Sequence, residues 1–132
     1  MSSEQQSKAA ARGSYRDLMV WQRAMDLAEL VYEASSRFPA EERFGLTSQV
    51  RRAVVSVASN IAEGHGRETR GAFAQFLRTA RGSLKESETQ VILAGRLGFL
   101  EPDKAQHILA ATDELGRMLY GLLTSIERSG RK

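Results

Sequence analysis

Five polar residues, Gln49, Arg52, Ser56, Asn60 and Glu63, follow one another at steps of three and four, so a helix carries them along one edge. Such a stripe can line a ligand pocket, or its members can satisfy one another and hold packed helices in register. The structural use is the expectation here. Glu86 and Glu88 supply partners further along the chain, and an ion pair between Arg52 and one of these carboxylates is expected. Catalytic uses of the same region fail on spacing. A di-iron bundle needs Glu-x-x-His on inward faces, whereas Glu63 and His65 stand two apart and His107 has no acid three residues before it. Gly64, Gly66 and Gly71 match neither G-x-G-x-x-G nor G-x-x-x-x-G-K-[ST], and no strand pattern precedes them. Ser56 and Ser59 lie within a helical pattern and lack the strained elbow of a serine nucleophile. These residues point to no enzyme, no cofactor and no metal.

A second set of residues could act by charge. Residues 43 to 85 hold eight Arg and Lys against Glu63 and Glu68, while both flanks are slightly acidic, so a net charge of +3 conceals a basic middle. Clustered cations gain affinity for polyanions by releasing counterions from phosphates. Arg51, Arg67, Arg70, Arg78, Arg81 and Lys85 are therefore the candidate contacts to RNA or DNA. They would grip phosphates without reading sequence, since no recognition-helix signature or run of interleaved aromatics accompanies them.

Helices must position both sets. The first is expected from about Asp17 to Phe38, with Leu18, Trp21, Met25, Ala28 and Tyr32 as its core stripe, backed by Ala24, Leu27 and Val31, and with Pro39 ending it. The second follows Gly45 and stops at Gly64, a residue suited to a left-handed C-terminus. Its core stripe is Leu46, Val50, Ala53, Val54, Val57 and Ile61. Thr69 offers an N-cap for a third helix from Arg70 to Leu97, closed by Gly98 and roughly 42 Å long at the usual helical rise. Pro102 opens a fourth, through Ile108, Thr112, Leu115, Leu119, Leu122 and Ile126. Short connections between four amphipathic helices predict an all-α, antiparallel up-and-down four-helix bundle over residues 16–128, with a flexible arm over 1–15 and a frayed end at 129–132.

One face of the second helix is unusual. Thr47, Ser48, Arg51, Val55, Ala58, Ser59 and Ala62 occupy the side where solvent-facing Lys and Glu belong. A face so poor in charge is usually covered, and in a single domain of 132 residues the cover is expected from another subunit. Val55, Ala58, Ser59 and Ala62 are the candidate interface, since small side chains allow close backbone approach. The remaining composition fits an ordinary globular protein, at 42% hydrophobic and 27% charged. Without cysteine there are no disulfides and no thiolate chemistry, and the polar opening residues lack the apolar core of a signal peptide. A cytoplasmic protein without a membrane partner is expected.

The residues also carry a resemblance. QVRRAVVSVASNIAEG, the FLRTARGSLKESETQ run and LGFL, together with LMVWQRAMDLAELVY and the FPAEERFGLTSQ connection, resemble the four-helix bundle proteins encoded in intervening sequences of bacterial 23S ribosomal RNA genes. The likeness extends from Leu18 to Leu100. One departure is that relatives often place a proline where this chain has Val57, Ala58 and Ser59, so a straighter second helix is expected. The resemblance implies a bundle that assembles into a ring of five, distantly like the basic, nucleic-acid-associated accessory proteins of diversity-generating retroelements. It implies no reaction. Two roles follow as expectations: a non-enzymatic homopentamer associating with RNA or DNA, or an oligomeric scaffold for a protein partner that leaves nucleic acid alone.

Overall fold

The computed structural model describes residues 13–129, which form four α-helices and no strand among the described residues. We label them α1 (Met19–Ser35), α2 (Leu46–His65), α3 (Arg70–Arg96) and α4 (Pro102–Ser129). Contacts run around a square, from α1 to α2, α3, α4 and back to α1. Cross-links give the directions. Ser56 meets Ser83 and Gly64 meets Phe76, so α2 and α3 are antiparallel. Arg70 reaches Ser129 and Glu88 reaches Thr112, so α3 and α4 are too. Arg23 pairs with Glu114 and Lys104 with Glu33, which opposes α4 to α1 and completes the up-and-down arrangement.

The helix ends follow from local chemistry. Thr69 accepts the amide of Ala72 at 3.1 Å and starts α3. Gly98, the one described residue with a left-handed backbone at φ 79°, ends it, and the Phe99 amide then closes onto the Ala94 carbonyl at 2.9 Å. Pro102 opens α4 as its position suggests. α1 stops at Ser35, a turn earlier than Pro39 requires. Residues 1–12 of the expected arm lie outside the described residues. Tyr15 is tied down: it sits in a short 3-10 turn, Tyr15–Asp17, with its ring edge-on to Trp21 at 5.2 Å.

Two expectations need correcting. Gly64 is not a left-handed cap but a buried helical residue, and α2 continues to His65. A Cβ there would stand 2.5 Å from Cβ of Phe76 and 3.1 Å from the Phe73 ring, so glycine permits the close approach of α2 and α3. Of the expected stripe only Leu18 is buried, and the core stripe of α1 is otherwise the neighbouring one. Val20, Ala24, Leu27 and Val31 are buried, whereas Met25 and Tyr32 are 38% and 44% exposed and Trp21 and Ala28 half-buried. Two adjacent apolar stripes cannot both enter one four-helix core. The bulkier one is left along the seam between α1 and α2. α2 itself runs unbroken through Val57, Ala58 and Ser59 and buries Val50, Val54, Val57 and Ile61.

Candidate nucleic-acid interface and subunit seam

The polar stripe divides in the folded chain. Ser56 and Asn60 are half-buried between α2 and α3: Ser56 Oγ lies 2.9 Å from Ser83 Oγ, and Asn60 Nδ2 donates to the Ser56 carbonyl at 2.8 Å and to its hydroxyl at 3.0 Å. This small network links α2 to α3, and buried polar groups paired in this way restrict how two helices can slide past one another. Gln49, Arg52 and Glu63 are exposed. The Arg52 ion pair is not formed: among the described residues no bridge joins Arg52 to Glu86 or Glu88. Arg52 lies on the outward flank of α2. Glu88 belongs to the opposite edge of α3, where it accepts from Thr112 Oγ1 at 3.2 Å and pairs with Lys85 at 3.4 Å. Glu86 is exposed and accepts from Gln90 at 3.5 Å.

The basic candidates separate as well. Arg51 folds back onto the C-terminal turn of α1, donating to Ser35 Oγ at 2.8 Å and to the Tyr32 carbonyl at 3.1 Å, with its guanidinium 4.5 Å from the Tyr32 ring centre. A cation at a helix C-terminus satisfies orphan carbonyls, so Arg51 is a structural residue on the α1/α2 side. Arg67 pairs with Glu63 at 2.9 Å and lies over Phe76. The other four line the α3 edge that faces α4. Arg70 donates to the Ser129 carbonyl at 2.8 Å, Arg78 pairs with Glu127, Arg81 lies 5.1 Å from the Tyr120 ring centre, and Lys85 pairs loosely with Glu88. Arg117 of α4 borders that side, held at 2.7 Å by Asp113.

Two residues here were missed by sequence reasoning. Tyr120 and Arg117 both fall off the apolar stripe of α4, and Tyr120 is 55% exposed. An aromatic off the core stripe was the signal available. With Arg81 and Lys85 they border an open groove of about 280 Å³ between α3 and α4.

The interface candidates follow the seam. Val55 is 42% exposed, Ser59 is exposed and Ala62 half-buried. Ala58 is corrected: it is 5% exposed, covered by its own bundle, because its position on α2 turns toward α1. From the anchor of Arg51 on Tyr32, antiparallel register carries Ala28, Met25 and Trp21 of α1 alongside Val55, Ala58 and Ala62 of α2. The result is an apolar strip about three turns long, crossed by one charge that is already engaged.

Glu63 and His65 do not converge. His65 packs edge-on against Phe73 at 5.8 Å while Glu63 turns to Arg67. Among the described residues no set of three His, Asp or Glu is placed to hold a metal ion, and no helix is long and apolar enough to cross a membrane.

An all-helical bundle with a polar register lock between its middle helices and a basic outer edge is the class these features define. Within that class the chain belongs to the family described as 23S rRNA-intervening sequence proteins, whose model matches residues 16–121. The same fold occurs in the crystal structure of a protein with unknown function from the S23 ribosomal protein family of Bacteroides thetaiotaomicron. The TM-score is 0.72 at 19% identity, over 80% of this chain and 98% of that one. Nothing among curated proteins matches the chain.

Proposed function

We propose that the protein is a non-enzymatic oligomeric scaffold that associates with RNA or DNA. The observation that supports it is the segregation of two surfaces. In the square α1–α2–α3–α4, the apolar seam of α1 and α2 lies opposite the basic edge of α3 and α4. In a ring the seam of one copy meets a different face of the next; whatever part of the basic edge stays outside that contact is repeated once per copy, and repetition turns a modest cationic surface into an avid one. A ring of five is the number implied by the resemblance of the residues quoted above, not by the protomer's shape.

Light scattering on the purified chain tests the assembly, with a particle about five times the 14.6 kDa chain mass expected. A particle of one chain mass removes the argument. Mixed-sequence RNA and DNA retained at low salt and released steeply toward physiological salt support the association; no retention at low salt eliminates it.

A second reading has its own support. Arg67, Arg78 and Lys85 each have a carboxylate partner within the chain, which suits a scaffold whose basic residues are merely solvated and whose partner is a protein. The salt series separates the two.

A further inference from the structure

The groove between α3 and α4 has a floor that is low because one of its residues brings no side chain. Gly116 lies there beside the buried Leu84 and Thr112, and the nearest atom to a Cβ built on it is Cδ2 of Leu84 at 3.6 Å. One turn further along α4 stands Tyr120, 55% exposed, with the Arg81 guanidinium over its ring. Lys85 and Arg117 flank the opening, and both are largely in water, with side chains 75% and 73% exposed. Their partners Glu88 and Asp113 hold them only by surface ion pairs, which are worth little and are readily exchanged for a phosphate.

A cavity of about 150 Å³ takes a benzene ring, so a groove of about 280 Å³ has room for a planar base. A duplex offers this groove only phosphates, because its bases are stacked on one another. An unpaired strand offers both chemistries. Its base can lie on the Gly116 floor against Tyr120, and its phosphates can reach Arg81, Lys85 and Arg117, the combination of stacking platform and cationic track found in single-strand sites. We propose that the α3/α4 groove is a sequence-tolerant site for unpaired nucleic acid, with Tyr120 as the stacking residue. The inference rests on the nucleic-acid association above and narrows it to single strands.

The test uses the full-length protein and fluorescein-labelled oligouridine and oligothymidine of roughly 20 nucleotides, long enough to exceed a single groove. The duplex of the same oligouridine with oligoadenosine is the comparison. Anisotropy titrations at low salt are expected to show both single strands bound about tenfold or more tighter than the duplex. Tyr120→Ala should lose about tenfold on the single strands and nothing on the duplex, and Tyr120→Phe should restore it. Gly116→Leu keeps every charge and removes the floor. It should lose as much as Tyr120→Ala, with circular dichroism confirming that helicity is intact. Equal affinity for single strand and duplex, or a Tyr120→Ala protein that binds like the parent, overturns the proposal while leaving the association standing. Polyglutamate that competes as well as oligouridine reassigns the groove to an acidic protein. Failure of all three nucleic acids to bind removes the association itself.

Discussion

Arg51 shows how a basic residue can be withdrawn from an electrostatic role by its surroundings. Its two hydrogen bonds and its stacking on Tyr32 tie α2 to the end of α1, which neither a solvated lysine nor an exposed ion pair would do. Arg51→Ala should therefore lower stability by about 1–2 kcal/mol in urea denaturation, since carbonyl and hydroxyl lose a charged donor. Nucleic-acid affinity should be unchanged so long as light scattering gives the parent mass, because Arg51 lies away from the basic edge. Gly64 makes a sharper case. Gly64→Ala places a methyl group 2.5 Å from Phe76 Cβ, so α2 and α3 must separate. Despite the better helix propensity of alanine, a loss of about 1–3 kcal/mol is expected by the same measurement, the cost typical of overpacking. A stabilised protein would show that glycine there is only a helix weakness. Spacing identified Gly64 as special but assigned it to the wrong cause, because a helix end and a helix contact both select glycine. Arg52 illustrates the opposite limit. Its place in a periodic stripe said which residues share an edge, and the angular offset of that edge from the core left it in water.

At the scale of the element, α1 is the instructive helix. It has apolar residues on two adjacent stripes, and periodicity alone ranks the one with Trp21, Met25 and Tyr32 first because it is the bulkier. The bundle uses the slimmer stripe of Val20, Ala24, Leu27 and Val31, which lets α1 lie close to its neighbours. The bulky stripe then adds to the charge-poor face of α2, and the two make the seam that an assembly would cover. A pair of substitutions on α2 tests this division. Val55→Glu puts a carboxylate on the open strip and should give a helical protein of single-chain mass by light scattering. Ala58→Glu buries a carboxylate inside the protomer, where residue 58 is 5% exposed, and should lose helicity cooperatively instead. If Val55→Glu leaves the mass of the parent protein unaltered, the seam is not where copies meet. The start of α3, its glycine end and the first residue of α4 were all readable beforehand, because Thr69, Gly98 and Pro102 act within one turn of chain.

At the scale of the whole molecule, the arrangement separates where copies join from where a polyanion would bind. That separation predicts a coupling with no shared residue. Dissociating the particle through Val55→Lys adds positive charge and yet should weaken RNA binding about 100-fold, because avidity is lost faster than one lysine per chain can repay. Anisotropy at fixed salt measures it, and an affinity that rises with the added charge would exclude avidity. The number of helices, the caps at Thr69 and Gly98, the opening of α4 at Pro102, the core of α2 and the poverty of charge on its outer side were legible in the order of residues, since each depends on neighbours within about two turns. The partner of each side chain was not. Whether Arg52 meets a carboxylate, whether Ala58 faces a sister chain or its own bundle, and whether Arg81 finds Tyr120 thirty-nine residues away depend on how four rods rotate about their axes when they pack. That rotation is settled by the sum of many weak apolar contacts across the core, a quantity no single stretch of chain contains.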